Sequence, residues 1–151
     1  MYAEGNVGYG ADEKGSISDK KYMKIFEKIR ADKKIKAVVL RVNSGGGSAL
    51  TSDIIHKEIA HLKADGIPVV SSFGDYAASG GYYIAANSDT IVSMPNTLTG
   101  SIGVFSMLPN AQKLANEKLG VNFDTVRTHQ HAITMSPYLD MSPDQKAMVQ
   151  S

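Results

Sequence analysis

The stretch Lys36-Ala-Val-Val-Leu-Arg-Val-Asn-Ser-Gly-Gly-Gly-Ser48 decides the fold. Its apolar run, residues 37–42, has the length and β-branched content of a buried strand, and the glycine triplet ends it. A second stretch repeats the pattern: Val69-Val-Ser-Ser-Phe73 leads into Ala77-Ala-Ser-Gly-Gly-Tyr-Tyr83. Glycines let backbone N–H groups approach a ligand without obstruction by Cβ, and a serine between alanine and glycine can sit on a tight strand-to-helix turn with its hydroxyl exposed. Taken singly, either motif is satisfied by an ordinary turn or by close helix packing. A phosphate-binding loop is disfavoured, because no Lys-Ser or Lys-Thr follows at the required spacing and GxGxxG is missing. In their joint order the two motifs point to an oxyanion hole beside a serine nucleophile.

Working outward, Ser18 precedes a helical pattern with Tyr22, Ile25, Phe26 and Ile29 on one face. Ser48, Thr51 or Ser52 caps a second helix, whose stripe of Ile55, Ile59 and Leu62 ends at Asp65-Gly66. Pro68 introduces the second strand, and a third helix over residues 78–86 puts Ser79 near its N-terminus, where the helix dipole favours developing negative charge. Residues 90–93, 102–105 and 123–126 read as further strands, and residues 108–119 as a helix. Ser142 and Pro143 open a final helix as N-cap and first helical residue. Residues 5–15 are the one plausible flexible segment. Repeated βα units of this kind favour a mainly parallel sheet with flanking helices.

The order of motifs resembles the signal peptide peptidase A family, serine peptidases of the fold shared with Clp protease and the crotonases. The matching segments are residues 36–44 with Gly46 and Gly47, then Ala77-Ala-Ser-Gly-Gly-Tyr82 and Asn96-Thr-Leu-Thr-Gly-Ser-Ile-Gly-Val104. Weaker similarity runs through Leu119-Gly-Val-Asn-Phe-Asp124 to Met135-Ser-Pro137. The resemblance implies a crotonase/Clp-protease-like α/β fold, Ser79 as nucleophile and Gly46, Gly47 and Gly80 as backbone oxyanion donors. It also implies that Ser101 supports the base by a hydrogen bond; alone, Ser101 is equally an ordinary turn serine. The family often has proline where Gly45 stands, a change that loosens the turn and leaves the donors in place.

A serine hydroxyl needs an adjacent proton acceptor, which in this family is a lysine kept neutral by desolvation. Short family members carry it just before the Met-Ser-Pro motif. Here that segment reads Arg127-Thr-His-Gln-His-Ala-Ile-Thr134, with Ala132 at the lysine position. Long members have two related halves, with the serine in the C-terminal half and the lysine in the other, and the chain resembles the serine half. We therefore expect residues 1–151 to be one serine-peptidase domain, a fragment of a longer chain truncated at both ends, acting by a Ser-Lys dyad whose lysine the N-terminal half supplies. The resemblance further implies peptide substrates such as cleaved signal peptides, a homo-oligomeric ring, and a parent at the bacterial inner membrane with its catalytic domain extracytoplasmic.

His131 adjoins the missing lysine position and makes a Ser-His mechanism the rival. His129 and His131 alternate in a candidate surface loop, and no histidine lies between Ser79 and His129, unlike the Clp-protease order. His56 and His61, five residues apart on the second helix, spread around its surface and do not form a metal pair. Lys113 and Lys118 read as hydrated helix residues and Tyr83 as packing. The net charge of +1 carries no footprint for nucleic acid, and the absence of cysteine excludes a disulfide framework and thiolate zinc sites. Neither metal nor cofactor is expected. No apolar run approaches the ~20 residues of a membrane span, so the fragment itself is expected to be soluble. Two other classes share the pattern: a crotonase-like acyl-CoA hydratase or isomerase, which lacks a suitably placed carboxylate pair here, and a noncatalytic assembly module.

Overall fold

The computed structural model describes residues 1–10, 15–104, 107–129, 132 and 135–150. The chain divides into two compact units, Met1–Gly103 and Val104–Ser151.

In the first unit, strands β1 (Tyr2–Glu4), β4 (Val38–Ser44), β5 (Val69–Ala78) and β6 (Thr90–Val92) form a parallel sheet in the order β1-β4-β5-β6. Strand β7 (Leu98–Gly100) pairs with the far end of β5, also in parallel. Two short strands, β2 (Val7–Gly8) and β3 (Ile17–Ser18), form a separate parallel pair. Helix α1 (Asp19–Ala31) starts where the Ser18 hydroxyl accepts the Lys21 N–H, and α2 (Ala49–Ala64) where the Ser48 hydroxyl accepts that of Thr51. Each cap satisfies one of the donors a helix start leaves orphaned.

Helices α1, α2 and α3 (Gly80–Ala85) supply the apolar groups that bury one face of the sheet. Tyr22 and Phe26 from α1, Ile55, Ile59 and Leu62 from α2, and Ile84 from α3 meet Leu40, Val42, Val69 and Phe73, all essentially inaccessible to water. Each such side chain contributes about 1.5–3 kcal/mol of burial. Arg30 of α1 and the buried Glu58 of α2 form an ion pair that joins the two helices. Strand β4 alternates strictly, with Val38, Leu40 and Val42 inward and Val39 and Arg41 exposed. The run expected to be wholly buried is therefore a half-buried strand, because the helices cover one face of it.

Several expected elements differ. Within the segment expected to be flexible, Val7 pairs with Ile17 and bridges to Gly47, so residues 7–8 are held by main-chain bonds; residues 11–14 lie outside the described residues. The strand expected at 102–105 is displaced to Leu98–Gly100. The reason lies in the partner, since β5 ends at Ala78, whose register mate is Gly100, and beyond it no ladder remains to extend. Phe105 is outside the described residues.

In the second unit the strand expected at 123–126 is irregular, as no described strand there pairs with it. The expected helix over 108–119 is shorter, centred on a π-helical turn, Leu114–Lys118, with the Leu119 N–H donating to the Leu114 carbonyl. Helix α4 (Pro143–Gln150) forms as expected. Ser142 and Gln145 each accept the other's backbone N–H, at 3.2 and 2.8 Å, closing a capping box.

Candidate active site

The site is built where β4 and β5 end side by side. Between Val42↔Phe73 and Ser44↔Ala77 the register slips, four residues of β5 advancing against two of β4. This bulge lifts the last turn of β5 off its straight course, a common device for re-aiming a side chain. At its end Ser79 has φ 51° and ψ −124°, a backbone conformation that an L-residue adopts only under strain. The strain is held from both sides: the Ser79 N–H donates to the Gly100 carbonyl at 2.9 Å, and the Ser79 carbonyl accepts the Tyr83 N–H at 2.9 Å. A strand, a strained serine and a helix in immediate succession are the form of a nucleophile elbow.

The glycine loop lies against this elbow. Gly46 has φ 103°, and a Cβ placed on it would stand 2.8 Å from Ser79 Cβ and 2.7 Å from the Gly80 nitrogen. No side chain other than hydrogen fits between loop and elbow. A Cβ on Gly80 would lie 3.2 Å from the Gly47 nitrogen, so these two N–H groups are near neighbours. Neither has a protein acceptor among the described residues. The Gly46 N–H, by contrast, donates to the buried Ser44 hydroxyl at 3.1 Å, while the Gly46 carbonyl accepts from Val7. Of the three glycines singled out from the sequence, Gly47 and Gly80 present N–H groups without a protein acceptor and Gly46 supplies clearance.

Ser101, singled out as a support for the base, follows Gly100 directly and has φ 51°, like Ser79. It is exposed, and its backbone is tied to the elbow through the Gly100 carbonyl that holds Ser79. Tyr83, expected to pack, is instead exposed; it donates its hydroxyl to Asp53 at 2.9 Å, and its ring lies 5.0 Å from that of His56 on the surface of α2. It thus pins the helix after the elbow onto α2, a tie that nothing in the residue spacing signals.

Two lysines of α2 differ from what base catalysis requires. Lys57 pairs with Asp53 at 2.7 Å, and that contact, first through its hydrogen bond, raises the ammonium's pKa. The Lys57 and Tyr83 hydrogen bonds in turn hold the Asp53 carboxyl below its ordinary range. Lys63 is occupied by Asp89 at 3.3 Å and the Asn87 carbonyl at 2.9 Å. A general base must be neutral, so a lysine stabilised as the cation is unsuited to the task. Of the histidines, His56 contacts the Tyr83 carbonyl and His61 contacts Glu58, both on α2. His129 lies in irregular chain of the second unit, and His131 falls outside the described residues. Among the described residues no group of His, Cys, Asp and Glu could hold a metal ion, and no helix is long and apolar enough to cross a membrane.

Comparison with solved structures defines the class. ClpP1 from Listeria monocytogenes superposes with a TM-score of 0.52 over 67% of this chain and 54% of its own, at 18% identity, which identifies a Clp-protease-like α/β fold. The sequence profile of Peptidase family S49 matches residues 61–151, which include the elbow and all of β5. Protease 4 of Salmonella typhi is 40% identical over 99% of this chain. The chloroplastic serine protease SPPA of Arabidopsis thaliana is 45% identical over 72% of it. The chain belongs to peptidase family S49. It spans 24% and 16% of the lengths of those two relatives.

Proposed function

We propose that this chain is the serine-bearing part of a larger peptidase, with Ser79 as nucleophile. The observation that carries the reading is the strained elbow: a serine at φ 51° between strand and helix, with a glycine loop packed on its Cβ. Ser79 Oγ attacks the scissile carbonyl as a neutral lysine takes its proton, and the carbonyl electrons move onto the oxygen. The Gly47 and Gly80 N–H groups hold this oxyanion. Its collapse expels the amine, which leaves with the lysine's proton, and water then releases the acyl group from Ser79. Preorganised donors of this kind are each worth about 10²–10³ in turnover, because they meet charge that develops only in the transition state.

The lysine comes from an N-terminal half of the parent protein. Support for this lies in the segment 127–134, which holds no lysine, and in the engagement of Lys57 and Lys63 by carboxylates. The substrates are cleaved signal peptides and other hydrophobic, membrane-derived peptides. The parent is a ring-forming protein of the bacterial inner membrane with this domain on the extracytoplasmic side.

The test is complementation. The isolated chain is expected to hydrolyse peptides poorly, since general base catalysis supplies about 10²–10⁴ of the rate. Adding or fusing the lysine-bearing half should restore hydrolysis, and replacing that half's lysine should remove it again. Ser79→Ala in the restored enzyme should abolish turnover with folding retained. Robust hydrolysis by the isolated chain, lost on His131→Ala, would overturn the split site in favour of a local Ser-His pair. Thioester turnover that survives Ser79→Ala would point to crotonase-type chemistry.

A further inference from the structure

The bulge that aims Ser79 is spanned from β4 by two side chains: Arg41, whose guanidinium donates to the Ser72 hydroxyl and the Phe73 carbonyl at its start, and Asn43, which reaches its interior. Two surplus residues in β5 between Phe73 and Ala77 take the Tyr76 N–H out of the regular ladder with β4. Asn43 meets it, its Oδ1 accepting that N–H at 3.0 Å. The same carboxamide lies over Gly74, where an added Cβ would stand 3.0 Å from Asn43 Cβ, Cγ and Oδ1. The Asn43 backbone is fixed in turn from the other side, its main-chain carbonyl accepting the Gly5 N–H at 3.1 Å. Immediately beyond the bulge, β5 pairs with β7 through Tyr76, Ala77 and Ala78, and the next residue is Ser79. Thr97 and Thr99 reinforce that side by donating their hydroxyls to the Gly74 and Ala77 carbonyls.

We infer that Asn43 is a positioning residue for Ser79: its carboxamide holds the β5 bulge open and thereby sets the height of the elbow against the glycine loop. The inference rests on the reading of Ser79 as nucleophile. Asn43 itself touches neither Ser79 nor the reacting groups. It acts through Tyr76, three residues before the elbow. The fit between elbow and loop leaves no slack, since a single Cβ on Gly46 would collide with Ser79 Cβ and the Gly80 nitrogen. A shift of about 1 Å in reacting groups can cost about 10²-fold in rate.

The experiment uses the complete peptidase with its lysine-bearing half, assayed on a peptide substrate and titrated with a fluorophosphonate that labels the nucleophile. Asn43→Ala should lower kcat per titrated site by about 10²-fold with KM nearly unchanged, and deuterium should enter the Tyr76 amide faster. Asn43→Asp keeps an acceptor oxygen in place and should recover most of kcat and of the amide protection. Gly74→Ala, which crowds the carboxamide without altering Asn43, should reproduce the selective loss of kcat and serves if Asn43→Ala does not fold. A normal kcat per titrated site in Asn43→Ala or in Gly74→Ala, or an Asp variant no better than the Ala variant, would overturn the inference. Ser79→Ala with full hydrolysis would instead remove the nucleophile reading itself, and the inference with it.

Discussion

The two units of this chain treat their apolar residues in opposite ways. In Met1–Gly103 the aromatic and branched side chains of three helices and the central strands meet in one core, with Phe26, Leu40, Ile55, Ile59 and Leu62 at 0% exposure. In Val104–Ser151 the described apolar residues stay at the surface, Val104 at 90%, Met107 at 89% and Val126 at 100%, and only Ala115 is buried among the described residues. Burial is the main favourable term in folding and must offset the conformational entropy of ordering the chain. The first unit has that compensation within itself, and the described residues of the second do not supply it. The strained elbow is accordingly built wholly within the unit that can hold it.

The strongest way to break this contrast is to separate the units. Residues 1–103 alone should unfold cooperatively by circular dichroism, whereas residues 104–151 alone should show no cooperative transition. A cooperative transition in the second fragment would end the distinction. Next, Phe26→Ala should cost the chain about 3–5 kcal/mol in denaturant unfolding, as for other fully buried aromatics. Val126→Ala should stay within about 0.5 kcal/mol, the range of exposed substitutions. Equal losses from the two would show that the second unit has a core of its own.

Alkaline titration sharpens the contrast further. Burial pushes the Tyr22 phenol up from 10.0 to about 12, and its hydroxyl donates to the Tyr2 carbonyl. The folded form thus favours the neutral phenol. Its contribution is complete below the unfolded pKa near 10 and is lost as pH rises through about 12. The loss should be on the order of 2 kcal/mol, and Tyr22→Phe should flatten it. An unchanged alkaline slope in the variant would contradict this assignment. A smaller effect concerns the elbow. Ser79→Gly relieves a positive φ that costs about 1–3 kcal/mol, less the extra entropy of a glycine in the unfolded chain, so stability should rise by about 1 kcal/mol. A fall in melting temperature would show the backbone at Ser79 to be unstrained.

Most of the first unit was legible from local signals. The 3.6-residue stripe of Tyr22, Ile25, Phe26 and Ile29 lies on α1 as expected, with Ile25 only partly buried, and Ser18 and Ser48 both serve as caps. The Ala-Ser-Gly-Gly motif does sit at a strand-to-helix turn, because small residues are what such a turn demands. Features that depend on pairing were not legible. Residues 102–105 have strand composition, yet the ladder stops at Gly100 because β5 stops at Ala78. Nothing in the spacing distinguishes the Gly46 N–H, which donates to Ser44, from those of Gly47 and Gly80. The Asn43 contact is equally hidden, since a two-residue bulge becomes visible only when both strands are placed together.

The positive φ of Ser79 has a consequence for descent as well as for folding. Selection for stability alone favours glycine at that position, and every generation that retains serine there does so against that pull. On the proposed reading of Ser79 as nucleophile, a duplicated copy of this domain released from catalysis should drift toward glycine at the elbow while keeping Gly46 and Gly81, whose added Cβ atoms would strike backbone, Gly80 N in the one case and the Ser44 carbonyl in the other. In a lineage of such copies, the residue at this one turn would record which of them still work and which have become scaffolding.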